Sequence, residues 1–574
     1  MYLTIDHNIE VKNRATLERI FSLAPEMKSR AFSRGFVRIE KHWQPCEIIE
    51  IKQDGTVSVS LLPDETEKLT VAANHVLPKI PTTWIAELLR KANVNLDIHS
   101  TVKRLAFNLS NTAARQRASK TEEIAKHISE VVFPLHVRGY KLVLEPAPQQ
   151  MIVPAFTLKS DLVDVQPVFS KESNQRANKI LNGLSTYGSY EKPSRELPLV
   201  LLCTPDTEVQ MRALVDRLRQ GSQNFRGMEK TFALSFGDVT GALANSPADY
   251  LSKCHQICAS VSANSMFLVY CPEKGYSRAD YKAPYYQVKH FLLEAGFASQ
   301  MVDEDTIANP SWKDYNLALD VFAKAGHVPW VLSEGLPNAD LFVGLSYSSI
   351  SGAGPNSRLI GYVNVFDRYG KWLFYRGNTK PVRFEVRNKA FRDLLADVAK
   401  EYTQWAKLQR VHVHHKFKLS QQARTEIANG VKSVAPNAEV SFVYVNEHSM
   451  VRLYDKKADG DGSLRRGSYV LTAPNRFFIA TTGQNDFGQR GMGTPRPLDV
   501  SVNRISANGE LDMKFYAQHL LSLTRLNWAS TKDFCREPIT LKFASDIAYL
   551  MNVFLASFGS FTLNSRLERT PWFL

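Results

Sequence analysis

Two short apolar runs, LPLVLLC at 197–203 and SMFLVYC at 265–271, are each bounded by turn residues and followed by a stretch with helical spacing. Continuous runs of that length predict strands buried on both faces, and their alternation with helices predicts a parallel sheet covered by helices. A ligand pocket is then expected at the carboxyl ends of the strands, where helix N-termini offer backbone donors to an anion. After Pro329-Trp330 the pattern changes. ADLFVGLSYSSI, RLIGYVNVFDRYG and KWLFYRG read as three consecutive strands, followed by a helix over 388–407, the strand RVHVHH and a helix over 420–434. Toward the N-terminus, a helical start near Ala15–Ala24 precedes alternating apolar and polar positions from Gly35 to Pro78, with Asp54-Gly55 as a hairpin turn. This predicts a small β-rich unit over 1–95. Residues 96–170 mix a helix (TEEIAKHISEVVF) with a short strand (GYKLVLEP) and Pro-rich connections, and read as a linker region.

A length of 574 residues exceeds one core and suggests three or four units. The formal net charge of +14 points to a polyanionic partner. No apolar run reaches the roughly 20 residues that span a bilayer, and the first residues lack a signal peptide's apolar stretch. A cytoplasmic location without membrane insertion is expected. Six cysteines are too sparse for a disulfide framework. Cys254, His255 and Cys258 lack a partner pair for a metal, and His412, His414 and His415 lack a third ligand on one strand face. Buried packing is the expected role of both groups.

The chemistry concentrates in YYQVKHFLLEAGFASQMVDEDTI and NLALDVFAKAGHVPW. Tyr285 and Lys289 fall four apart in a helical segment, on one face; Gln300 follows the break at Gly296, and Lys324 closes a second helix before Gly326. Two ammonium groups, a phenol and a carboxamide can all donate to phosphate oxygens. This spacing resembles the pocket of the MID domain of Argonaute proteins, which holds the 5′-phosphate of a guide strand. The pattern at Gly183–Tyr190 resembles the entry into that domain, with Asp320 standing where relatives often carry a further basic residue.

The order of three strands, helix, strand and helix resembles the RNase H-like fold of the PIWI domain. So do YVLTAPNRFFIATTGQNDFGQRGMGTPRPL at 469–498 and the later LTRLNWASTKDFCREPITLKFASDIAYL, an L-N-W element with a proline-led strand and a helix. The resemblance implies an α/β fold with a Rossmann-like MID domain over 171–335 and an RNase H-like PIWI domain over 336–574. It further implies that the carboxylate of Leu574 helps bind Mg²⁺ beside the guide phosphate.

Phosphodiester hydrolysis by two metals needs carboxylates clustered around cations about 4 Å apart. Where active relatives carry metal ligands, this chain has Ser346, Lys416 and Ser545. An ammonium 4 Å from a dication is repelled by several kcal/mol even at an effective dielectric of about 20. The nuclease site is therefore expected to be inactive. Asp340, Asp367 and Asp546 form an alternative acidic set, but are more naturally turn or surface residues.

About 170 residues precede the MID-like segment, too few for a separate PAZ domain, which resembles short prokaryotic Argonautes. The resemblance implies a binding protein that anchors a short guide, RNA rather than DNA, on a complementary target, expected to be DNA. It would signal recognition to a separate effector protein in defence against plasmids or phage. Two other readings stay open: a guided nuclease with a displaced acidic site, and a guide-independent nucleic-acid-binding subunit.

Overall fold

The computed structural model describes residues 15–574 except 30–31, 33, 40–41, 53, 62–67, 81, 94–113, 132–134, 138–139, 143–157, 273–283, 309–311, 351–357, 379, 450, 454–462, 485–494 and 506–510. The chain forms two compact units: Met1–Leu144 with two short later segments, and the remainder.

In the first unit five antiparallel strands run in the order 68–72, 56–61, 42–51, 34–39 and 76–78. Alternation buries Val37, Cys46, Ile48, Val57 and Val59 on one face, against Leu17, Ile20 and Phe21 of the helix Leu17–Leu23. Thr16 caps that helix, accepting from the Arg19 amide. The turn expected at Asp54-Gly55 is present: Gly55 has φ +86°, and Asp54 accepts from the Thr56 amide at 2.8 Å. The linker-like stretch contains the helix Ala114–Val131 and the hairpin 135–137/140–142. Its Pro-rich connection at 145–154 lies outside the described residues.

The second unit holds the two α/β layers expected from the sequence. Four parallel strands run in the order Phe236–Leu243, Leu197–Cys203, Met266–Tyr270 and Ser299–Val302. The two apolar runs occupy its centre, buried along nearly their whole length, as strands covered on both faces must be. A ten-stranded mixed sheet is built around Leu341–Ile350, Arg358–Asp367 and Trp372–Gly377, joined antiparallel, with Arg410–His415 and Glu439–Asn446 joined parallel beyond. The helices expected at 388–407 and 420–434 run Arg387–Thr403 and Gln421–Lys432. Leu158–Lys159, from the expected linker, pairs with Tyr469–Val470 and so belongs to this sheet.

One expectation fails. ITLKFASDIAYL contains no proline-led strand: Pro538 precedes the 20-residue helix Ile539–Phe558 directly. The opening Ile539-Thr540 is β-branched and reads as strand locally. The buried positions Leu541, Ala544, Ile547, Leu550, Met551 and Phe554 nevertheless recur at helical spacing, and Pro is well placed at a helix start. Within the segment that ends in GTPRPL, positions 485–494 lie outside the described residues.

This helix is long and apolar enough to cross a membrane by length and composition, with 61% of its most apolar window buried in the protein. It lies directly on the strand Leu341–Ile350. A Cβ on Gly344 would come within 2.2 Å of the Thr540 carbonyl oxygen and 2.0 Å of Asn364 Oδ1. Only the missing side chain allows that approach. One hydrophobic core runs through both layers, from Leu199, Leu201 and Leu268 to Phe342, Phe543 and Phe554.

Candidate functional site

Tyr285 and Lys289 lie on the helix Pro284–Ala295, and Lys324 ends the helix Trp312–Lys324. Gln300 is on Ser299–Val302, which closes one edge of the four-stranded sheet. The structure brings all four together. Lys324 Nζ donates to the Ser299 carbonyl at 3.2 Å and to Gln300 Oε1, while Lys289 Nζ stands 6.0 Å from the centre of the Tyr285 ring.

Both lysines are almost fully buried, at 1% exposure each. Burial, then the neighbouring Lys324, holds Lys289 well below the usual lysine range. Burial also lowers Lys324, to about 8, against the pull of Asp320. Two desolvated amino groups, whose ammonium forms burial and mutual repulsion disfavour, form a site in which an anion would stabilise the charged state. Cys271, at the carboxyl end of Met266–Tyr270, faces Lys289 and Tyr285 electrostatically, which puts this side of the pocket at the expected strand ends. Lys324 reaches instead to Ser299, at the start of the edge strand.

The long helix Ile539–Phe558 supplies another wall. Tyr549 hydroxyl is 2.8 Å from that of Tyr286, and Lys542 acts electrostatically on Asp320. These contacts were not legible in sequence because more than 200 residues separate the partners.

The last residue is Leu574. Its amide donates to the Pro571 carbonyl at 3.2 Å, and its side chain packs at the margin of the main core. Among the described residues no hydrogen bond or ion pair joins its carboxylate to the pocket side chains. The side chains gathered here offer a hard dication, which takes several oxygen ligands, a single carboxyl set between cations. This donor set does not by itself fit Mg²⁺.

Where the sequence led us to expect Lys416 and Ser545 in place of metal ligands, the structure assembles an ion cluster. Lys416 follows the strand Arg410–His415, and its Nζ donates to Glu447 Oε1 at 2.8 Å, Glu537 Oε2 at 2.6 Å and Ser545 Oγ at 2.9 Å. Ser346 lies on the neighbouring parallel strand, two residues beyond Gly344, the last residue paired with Arg410–His415. Burial, then the hydrogen bond to Glu447, pushes Glu537 up; Glu447 stays low despite burial, through its hydrogen bonds to Glu537 and Lys416. Below about pH 7 the pair thus carries about one negative charge against the Lys416 side chain. Sequence reading missed Glu447 and Glu537, and the unexplained Lys416 was the signal that could have prompted a search for acids.

The alternative acids do not form a set. Asp340 accepts from the Gln409 and Arg410 amides, Asp367 from those of Tyr369 and Lys371, and Asp546 pairs with Lys542 one turn away. They are turn and helix-face residues. Among the described residues no group of three or more His, Cys, Asp or Glu side chains is arranged to hold a metal ion. His412 hydrogen-bonds the Asn338 carbonyl, His414 Thr540 Oγ1 and His415 the Phe417 carbonyl, all three buried. Cys254 is buried and His255 packs on Phe291, consistent with a packing face.

No protein-family model matches the chain. Protein argonaute of Aquifex aeolicus (strain VF5) is 24% identical over 267 residues, 46% of this chain and 35% of that protein, so the match spans about a third of the relative's length. Among solved structures, Clostridium butyricum Argonaute bound to a guide DNA (5′ deoxycytidine) and a 19-mer target DNA superposes with a TM-score of 0.67 at 14% identity. That match covers 97% of this chain and 76% of the other. A. aeolicus Argonaute superposes with a TM-score of 0.59 at 16% identity, covering 94% and 74%. The C. butyricum complex holds DNA on both strands, which corrects the expectation of an RNA guide. That expectation had no physical anchor, because a pocket for a terminal phosphate makes no contact with a 2′-hydroxyl, the group that distinguishes RNA.

Proposed function

We propose that this chain, a homologue of the prokaryotic Argonautes with their MID–PIWI fold, is a guide-directed nucleic-acid-binding protein that does not cut its target. It holds the 5′-phosphate of a DNA guide in the pocket of Tyr285, Lys289, Gln300 and Lys324. The observation that carries this reading is the pair of buried lysines side by side. A phosphate between them would favour their charged forms, which burial and mutual repulsion disfavour, and replace the water they have lost. Base pairing then reads sequence, while the protein reads backbone shape and charge.

The absence of cutting rests on Lys416. Its ammonium, held by three oxygens, stands where the family resemblance puts a metal-binding carboxylate. A protein that recognises without cutting acts through something else, so target recognition is passed to a separate effector protein in defence against plasmids or phage.

The test is Lys289→Ala combined with Lys324→Ala, assayed for binding of a short DNA carrying a 5′-phosphate or a 5′-hydroxyl. A hydrogen bond to a charged group contributes about 1.5–3 kcal/mol. The double variant is therefore expected to lose at least about a hundredfold on the phosphorylated strand and little on the other. Equal losses on both would exclude this pocket as the anchor. Incubation with guide and complementary target in Mg²⁺ or Mn²⁺ tests the second half: guide-dependent product that vanishes in Asp546→Ala would restore the nuclease reading.

A further inference from the structure

Asp320 lies on the helix Trp312–Lys324 four residues before Lys324, so both side chains share one helix face, a turn apart. Its Oδ1 is closed off from solvent and has no hydrogen-bond partner among the described residues. Lys324, Lys289 and Lys542 all act on it electrostatically. The hydrogen bonds of Lys324 nevertheless go to the Ser299 carbonyl and Gln300 rather than to this carboxyl. A half-buried acid, with one oxygen closed off and unpartnered, thus faces the two pocket lysines.

An ionised carboxylate there would oppose what the pocket is built to take, because a terminal phosphate brings about −1.5 to −2 charge. A protonated carboxyl does the reverse. It has an O–H to donate, and hydrogen bonds from O–H to an anionic oxygen are short and strong. Burial favours this neutral form, raising Asp320 to about 7 even against the three lysines.

We propose that Asp320 is a ligand of the guide's terminal phosphate: its carboxyl takes a proton from solvent and donates it in a hydrogen bond to a phosphate oxygen. Loading a 5′-phosphorylated strand therefore draws about one proton into the pocket. The proposal rests on the pocket reading above and adds to it a chemical condition, that the end is bound together with a proton.

The charged and titratable groups facing Asp320 and its pocket are Lys324 on the same helix, Lys289 and Tyr285 on Pro284–Ala295, Cys271 after Met266–Tyr270, and Lys542 with its partner Asp546, and Tyr549, on Ile539–Phe558. Lys289 and Lys324, both lowered by burial, are competing acceptors of the proton. Asp320→Asn separates the sources, since its amide donates to phosphate without taking up a proton.

The full chain is titrated calorimetrically at pH 7.5 with one short DNA bearing either a 5′-phosphate or a 5′-hydroxyl, in two buffers of different ionisation enthalpy. Wild type is expected to take up close to one proton with the phosphorylated strand and none with the hydroxyl strand. Asp320→Asn is expected to keep its preference for the phosphorylated strand while losing most of the uptake. Asp320→Ala, which removes the donor, is expected to weaken the phosphorylated strand about tenfold or more at pH 6.5 and to leave the hydroxyl strand unchanged. Undiminished uptake in Asp320→Asn would assign the proton to a lysine and overturn the proposal. A wild type that distinguishes the strands without proton uptake overturns this proposal alone; one that fails to distinguish them overturns the pocket reading and this proposal with it.

Discussion

Replacing Lys416 by Met keeps the aliphatic stem and deletes the one cation in the cluster with Glu447, Glu537 and Ser545. In the wild type the ammonium makes ion pairs of 2.8 and 2.6 Å to the two glutamates, whose side chains are 19% and 18% exposed. Removing one partner of a buried pair costs about 3–5 kcal/mol. Lys416 is itself 25% exposed, so the solvent-screened loss at pH 8 is nearer about 2–3 kcal/mol.

The pH dependence has a definite sign. Glu537 is already raised in the folded state by burial and by its hydrogen bond to Glu447. An acid raised on folding contributes stability below its unfolded value, and that contribution is lost as pH rises through the folded value, about 7 here. Without the ammonium both glutamates are raised further, so the variant suffers most above pH 7 and recovers as they are protonated. Urea unfolding of wild type and Lys416→Met at pH 5.5 and pH 8 is expected to show a loss larger at pH 8 by about 1–2 kcal/mol, of the order of one pKa unit. Ser545→Ala, which removes one neutral contact, serves as the control with a loss near 1 kcal/mol at both values. A Lys416→Met variant destabilised equally at the two pH values, or more in acid, would refute the assigned charge balance.

Three further outcomes follow from the packing. Gly344→Ala would force a methyl against the Thr540 carbonyl and Asn364, with expected destabilisation of about 3 kcal/mol or more, whereas Gly55→Ala, with open space around its Cβ position but φ +86°, should lose only about 1 kcal/mol; denaturant midpoints compare them. Burial lowers His412 and His415 to about 4 and His519 to about 3. A histidine depressed on folding contributes stability above its unfolded value near 6.5 that is lost as pH falls, so acid unfolding should begin below about 6, and His519→Phe should shift its onset downward. Asp314, fully buried, takes two hydrogen bonds from Arg217 and one from Ser222, so Arg217→Met should cost about 3 kcal/mol in thermal or denaturant unfolding.

Legibility in the sequence followed range. The buried central strands were readable because a parallel strand covered on both faces is apolar throughout, and Tyr285 and Lys289 because their spacing is local. Gln300 and Lys324 joined them only through resemblance, since the contact of Lys324 with Gln300 crosses 24 residues. Asp320 was visible as an oddity one turn before Lys324, but the reach of Lys542 to it from the helix Ile539–Phe558 belongs to tertiary structure. Glu447 and Glu537 could not be found because the chain between them and Lys416 spans 31 and 121 residues. The supposed strand at Ile539 shows the remaining limit: two β-branched residues outweighed a helical repeat whose confirming positions lay further along.

The helix Ile539–Phe558 carries Ser545 toward the Lys416 cluster and Tyr549 toward the pocket of Tyr285 and Lys289, four residues and about 6 Å of rise apart. Lys542, Asp546 and Tyr549 recur along one of its stripes, and every residue turns the helix by about 100°. A substitution rewrites one rung and leaves its neighbours aimed as before. An inserted or deleted codon ahead of Ser545 rotates everything beyond it and would misdirect the pocket wall together with Ser545. The geometry therefore lets side chains at one of the two sites change letter by letter while those at the other stay aimed, whereas a change of length ahead of both would disturb the two together.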